Sequence, residues 1–362
     1  MRWKEQLLTL TPYQPGKSID AVKKQFKLEK IVKLASNENP FGCSPAVVEA
    51  LQTNLSGLAI YPDGYATHLR EKLSEFLNVD EEELILGNGS DNLIQIISRS
   101  LLHPNASTIM ATPSFSQYKH NAVIEGAVVK ELPLINGEHD LEAMLAAIDE
   151  QTNVIWVCSP NNPTGTYIPE NKLIPFLDKV PPHILVVLDE AYFEYVVAED
   201  YYDSIRLTRK YENLIVLRTF SKIYGMAALR VGYGVANRAI IKVLEPVREP
   251  FNVNSLGQLG AIAAINDQEF VEVCKEKNRQ GLSQFYDFCE QNQLDYYPSQ
   301  TNFILIDLKV DGDVAFQFLQ EKGYIVRSGK ALGFPTAVRI TVGSSEQNEG
   351  VLQALSEFLD KN

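Results

Sequence analysis

The sequence predicts an α/β fold: a large domain with a mostly parallel, helix-covered sheet, then a smaller α+β domain. Three features predict it. Between about residues 83 and 222, short apolar runs alternate with helix-patterned stretches. Three of those runs, NVIWVCSP, HILVVLDEAY and NLIVLRTFSK, are apolar almost throughout, the character of strands buried on both faces. Past about residue 245 the alternation gives way to long helical stretches and a second group of strands. At 362 residues the chain is too long for one ordinary core, so two domains are expected.

The elements follow in order. ELILGNGS reads as a strand ending in a Gly-rich turn. SDNLIQIISRSLL is then a helix, with Ser90 or Asp91 at its N-cap and Leu93, Ile97 and Leu101 on one face. TIMATP is a strand, SQYKHNAVIEG a helix ending at Gly126, VVKELPL a strand and DLEAMLAAI a helix. The three apolar strands come next, and GYG at Gly232–Gly234 is a further strand feature. LGQLGAIAAI and EFVEVCKEKNRQGLSQFYDFCEQ are helical. FILIDL, YIVRS and AVRITVG are strands, and EQNEGVLQALSEFL closes the chain as a helix. Residues 1–35, interrupted by Pro12 and Pro15, form an arm; 36–245 and 246–362 are the two expected domains.

Composition excludes several classes. A net charge of -13 disfavours general binding to nucleic acid or to an anionic membrane. The four cysteines form no C-x-x-C pair, and the five histidines show no H-E-x-x-H spacing, so no metal site is expected. No apolar core of a signal peptide opens the chain and no apolar run spans a membrane, which points to the cytoplasm. The G-x-G-x-x-G fingerprint of a nicotinamide-dependent dehydrogenase is missing. A replaced lysine or an added DNA-binding module would mark a non-catalytic regulator, and neither is present.

In a sheet of this kind ligands collect beyond the carboxyl ends of the strands. The residues there are Gly87–Asp91, Pro113–Phe115, Asn161–Gly165, Asp189–Tyr192 and Thr219–Lys222, with Arg230 eight positions after the lysine. Each alone has a plain reading: Asp189 caps a helix, NNPTG is a turn, and Lys222 is a solvated loop lysine. Together they assemble one chemistry. A lysine that must lose its proton favours low polarity. A carboxylate keeps a pyridine nitrogen protonated, making the ring an electron sink. A helix start, hydroxyls and a guanidinium bind phosphate. Pyridoxal 5'-phosphate (PLP) asks for this whole set.

Across almost its whole length the chain resembles the fold-type I PLP-dependent aminotransferases, and among them those acting on histidinol phosphate. LTPYQPG, KLASNENPFG, YPDG, GNGSDN, TPSFSQY, SPNNPTG, LDEAYFEY, RTFSK, REPFNVN, TNFIL, VRSG and VRITVG carry the resemblance in order. It implies that Lys222 holds PLP covalently and shuttles a proton, and that Asp189 pairs with the pyridinium nitrogen. Tyr192 and Asn162 would bond the ring oxygen, and Phe115 would stack on the ring, where the family often has tyrosine. Ser90, Asp91, Ser221 and Arg230 would hold the phosphate, joined by Tyr61 of a second subunit in a homodimer. Tyr13 in the arm would close over the substrate, with Tyr61 and Asn162 also near it. Arg327 and Arg339 would bind the substrate's anionic end. Asn92 and Ala228 depart from the family's usual glutamate and glycine.

The implied reaction is transamination of L-histidinol phosphate with 2-oxoglutarate, giving imidazole acetol phosphate and L-glutamate in histidine biosynthesis. An aromatic amino-acid aminotransferase and a threonine-phosphate decarboxylase are the alternatives on the same scaffold.

Overall fold

The computed structural model describes residues 1–8, 10–12 and 18–361. Their strands, in chain order, are β1 (Val32–Lys33), β2 (Leu84–Gly87), β3 (Ser107–Thr112), β4 (Val128–Pro133), β5 (Thr152–Cys158), β6 (Leu185–Asp189) and β7 (Leu214–Thr219). There follow β8 (Gly232–Ala236), β9 (Asp295–Tyr296), β10 (Phe303–Asp307), β11 (Tyr324–Ile325), β12 (Arg327–Ser328) and β13 (Ala337–Thr341).

Seven strands form one sheet in the order β2-β8-β7-β6-β5-β3-β4. The pairs β3–β4, β3–β5, β5–β6 and β6–β7 are parallel. Only β8 runs against its neighbours, β7 and β2. Six strands therefore end at one edge of the sheet, and β8 begins there. That geometry gathers the segments after β2, β3, β5, β6 and β7 and the residues just before β8.

Both faces of this sheet are buried, which is why its strands read as unbroken apolar runs. Along β5, Val154, Trp156 and Cys158 pack on one face with Leu93, Ile97 and Tyr118 of two helices, Ser90–Leu101 and Gln117–Glu125. Ile155 and Val157 pack on the other face with Val47, Leu69, Phe176 and Ala261. The helix Ser255–Asn266 thus belongs to this core although it lies well past residue 245. A second sheet, β12-β13-β10-β9, packs against the helices Gln268–Gln291, Gly312–Glu321 and Ser345–Leu359 through Phe285, Ile304, Leu319, Ile340 and Phe358. Among the described residues no helix is long and apolar enough to cross a membrane.

Two local expectations are corrected. YIVRS is not one strand. It breaks at the fully buried Val326, because β11 pairs with β1 in parallel while β12 pairs antiparallel with β13. The helix after β2 is capped by Gly89, not by Ser90 or Asp91. Gly89 sits at φ +81°, and a Cβ there would collide with the Arg230 guanidinium. The arm contributes a short helix, Ile19–Phe26, whose Val22 packs on Ala35 and Ile325.

Arg218, on β7, is buried. Its Nε donates to Glu190 Oε2 at 3.0 Å and its Nη2 to Ser204 Oγ at 3.0 Å, with the guanidinium 3.5 Å from the Phe193 ring centre. Ser204 and Tyr201 donate to the same carboxylate. Removing one member of such a pair leaves the other charge buried and uncompensated. Arg218→Met should lower stability by about 3–5 kcal/mol in urea unfolding. Adding Glu190→Gln to that variant should restore part of the loss.

Candidate active site

One cavity of about 550 Å³ opens at the edge where the six strands end. Lys222, Asp189, Tyr192, Asn162, Phe115, Ser90, Asp91, Ser221, Arg230, Arg327 and Arg339 all line it. Tyr61 does not: it is 79% exposed and stacks on Phe251, with ring centres 4.8 Å apart. Tyr13 lies outside the described residues.

Lys222 follows β7 in a loop held tightly from outside. Gly225, at φ +68°, lies against the Gly42 carbonyl, leaving no room for a Cβ. Asn39 Nδ2 donates to the Ile223 carbonyl at 2.6 Å. The Lys222 amine is pushed down to about 8, first by desolvation, then by the cations Arg339 and Arg230. It lies 5.5 Å from the centre of the Tyr192 ring.

Asp189 ends β6 and is 3% exposed. Burial raises its carboxyl to about 6. Two donors oppose that rise: Tyr118 Oη at 2.6 Å from Oδ2, and the Ala191 amide at 3.2 Å from Oδ1. Tyr118 is itself fixed between Trp156, stacked at 4.9 Å, and the edge of Phe115 at 5.6 Å.

At the opposite end of the cavity the helix Ser90–Leu101 begins. Its N-cap, Gly89, has no side chain to accept from the first amides, so that end stays electropositive. Arg230 stands beside it, with Nη1 donating to Ser221 Oγ at 3.1 Å and Nη2 3.6 Å from Asp91 Oδ2. The start of β8 abuts this turn, since a Cβ on Gly232 would lie 2.6 Å from the Ser90 nitrogen. Asn92 is occupied structurally: its Oδ1 accepts from the Asn88 amide and from Asn252.

Two arginines of the second sheet close the third side. Arg327 and Arg339 are directly opposed across β12 and β13. Like charges so placed repel, and an anion between them relieves that repulsion. Arg339 is 6% exposed; its Nη1 donates to Asn162 Oδ1 at 2.6 Å and its Nη2 to the Ala35 carbonyl at 2.8 Å.

Three features of the site escaped the sequence. Tyr118 bonds Asp189 across 71 positions, with no local signal to link them. Cys158 lies beside Asp189 in the β5–β6 register, its thiol pushed up to about 12 by burial. Asn37, inside KLASNENPFG, lines the cavity and bonds Tyr192.

The chain matches known proteins along almost its whole length. Residues 29–355 match the family model described as aminotransferase class I and II. The chain is 62% identical over 359 residues to the histidinol-phosphate aminotransferase of Geobacillus sp. strain WCH70, covering 99% of this chain and 98% of that one. It is 61% identical over 360 residues to the protein of the same name from Bacillus subtilis strain 168, covering 99% of this chain and 100% of that one. In fold it is similar to the crystal structure of histidinol-phosphate aminotransferase from Sinorhizobium meliloti in complex with pyridoxal-5'-phosphate. That match has a TM-score of 0.91 at 24% identity, over 99% of this chain and 98% of that one.

Two outcomes follow for the unliganded protein. Reductive methylation of Lys222, followed by peptide mass spectrometry across pH, should show a midpoint near 8, and Arg339→Ala should move that midpoint upward. Asp189→Asn should raise stability at pH 8, because the native carboxyl, at about 6 against 3.8 unfolded, binds its proton more tightly than the unfolded one. The ionised form therefore destabilises the fold above pH 6, by up to about 3 kcal/mol. Below pH 4 the two proteins should unfold alike.

Proposed function

The chain belongs to the class I and II aminotransferases, and from that premise we propose that it transfers the amino group between L-histidinol phosphate and 2-oxoglutarate. The products are imidazole acetol phosphate and L-glutamate, and the step belongs to histidine biosynthesis. The observation that carries this reading is the identity of 62% and 61%, over nearly whole chains, to proteins named histidinol-phosphate aminotransferase. The cofactor is pyridoxal 5'-phosphate, and the residues present fit it. An amine of lowered proton affinity, a buried carboxylate and an electropositive helix start with Ser221 and Arg230 share one cavity.

Bound there, the cofactor supplies an electron sink that lets an amino group leave one carbon skeleton and join another. The roles of the side chains are those the resemblance implies, and their chemistry suits them. Lys222 Nζ, partly neutral near pH 8, anchors the cofactor and, once released, takes the proton from the substrate's amine-bearing carbon. Asp189 holds a proton on the ring nitrogen. Tyr192 and Asn162 donate toward the ring oxygen, and Phe115 packs on the ring face. The Ser90 and Asp91 amides, Ser221 and Arg230 bind the phosphate. Arg327 and Arg339 bind the anionic end of either substrate, phosphate or carboxylate, by forked contacts.

The same reading includes a homodimer in which Tyr61 of one chain reaches the phosphate end of the other's site. The exposed apolar side chains Leu55, Leu58, Ile60, Tyr61, Tyr65 and Phe251 support it. It also keeps the division into an arm, a large domain and a small domain, with the helix Ser255–Asn266, past the expected boundary at 245, packed in the large domain's core and Tyr13 acting from the arm. Four free cysteines fit a reducing cytoplasm.

A single half-reaction tests the substrate. The visible band of the PLP-loaded protein should fade rapidly with L-histidinol phosphate. It should fade about 100-fold more slowly with L-phenylalanine, which lacks the phosphate contacts. Equal or faster loss with phenylalanine would replace this reading with an aromatic aminotransferase.

A further inference from the structure

Asn37 is 2% exposed and adopts φ +58°, a left-handed conformation that asparagine tolerates better than most residues. Its contacts run in one direction through a short chain of hydrogen bonds. The Asn37 backbone amide donates to Thr341 Oγ1 at 3.0 Å. The Thr341 hydroxyl then donates to Asn37 Oδ1 at 3.1 Å. With Oδ1 on that side, Nδ2 donates to Tyr192 Oη at 2.9 Å. With its oxygen so engaged, Tyr192 is left to send its own proton into the cavity it lines. Asn162 is set in the same sense. Its Oδ1 accepts from Arg339, which leaves Nδ2 to donate.

The segment carrying Asn37 is bound to the second sheet on both sides of that residue. The Leu34 carbonyl accepts from the Thr341 amide, and the Asn37 carbonyl accepts from Asn302 Nδ2 at 2.9 Å. The Ala35 carbonyl accepts from Arg339. The strand that bears the anion-binding arginine thus also holds the amide that aims Tyr192.

We propose that Asn37 is a positioning residue that points the Tyr192 hydroxyl at the cofactor's ring oxygen and ties that aim to the strand of Arg339. The proposal rests on the aminotransferase reading. Hydrogen bonds to the ring oxygen hold its negative charge, so the proton at the Lys222 nitrogen is released at lower pH. Losing the aim makes that proton harder to remove. The same nitrogen is also faced by Arg339, Arg230, Asp91 and Glu38, none of which is altered by the variants below.

The test is the pH midpoint of the visible band in PLP-loaded protein. Tyr192→Phe should raise it by about 1 unit, the scale of one lost charge-assisted bond. Asn37→Ala should raise it in the same direction. Asn37→Asp keeps the side-chain shape but offers only acceptors, so it should draw the Tyr192 proton away from the cavity and raise the midpoint further. In a Tyr192→Phe background Asn37→Ala should add no shift, and Asn37→Asp only the smaller part that its charge supplies. A midpoint unmoved by Asn37→Ala, or an Asn37→Asp shift that persists in full without the Tyr192 hydroxyl, overturns the proposal. The first outcome would leave a purely structural residue and the second a simple charge effect. Absence of any band in the wild-type protein sinks the aminotransferase reading as well.

Discussion

The arrangement depends on cations crowded into one cavity. Lys119, Lys222, Arg230, Arg327 and Arg339 all line it, against three carboxylates, Asp91, Glu131 and Asp189. Coulomb repulsion among these groups is weakly screened at such a site. It adds to desolvation, the larger cause, in pushing the Lys222 amine down to about 8. The same crowding makes the cavity a receptor for anions at two places, one at the helix start beside Arg230 and one between Arg327 and Arg339. On the proposed reading, a cofactor phosphate would fill the first and a substrate phosphate or carboxylate the second.

The sheet makes that crowding possible without weakening the core. Because β8 alone runs against the rest, Arg230 arrives at the same edge as the strands that end there. Arg218, four residues before Lys222, is directed instead into a buried pair with Glu190. Adjacent positive residues of one segment are thus sent to different tasks by the alternation of a strand and the turn that follows it. Arg339, in contrast, comes from the second sheet, and its contacts to Asn162 and Ala35 join that sheet to the cavity floor.

Much of this was legible because strand ends are local signals. An apolar run that stops at Asp189 or Thr219 announces both the strand and the rim residue after it. The Arg327–Arg339 pairing was legible as two strands but not as a register. YIVRS also hid the break at Val326, where burial in the core overrides a continuous strand pattern. The N-cap was misplaced for a packing reason, since Arg230, which excludes a side chain at Gly89, lies 141 positions away. Tyr118 and Asn37 were invisible as partners because the bonds that define them span 71 and 155 positions. No period or spacing encodes a contact that exists only once the sheet has closed.

These hidden partners share a physical task. A buried acceptor or phenol in a low-dielectric cavity could direct its hydrogen bonds several ways, and each wrong orientation would weaken the site. Tyr118 and the Ala191 amide both donate to Asp189, so its carboxylate is held ionised against a burial that would otherwise neutralise it further. Thr341 and Asn37 do the converse for Tyr192, occupying its oxygen so that its proton faces inward. Groups that present charge to the cavity are thus backed by donors, and groups that present donors are backed by donors to their oxygens. The cavity is oriented before any ligand enters, so little of the binding energy is spent on reorganising it.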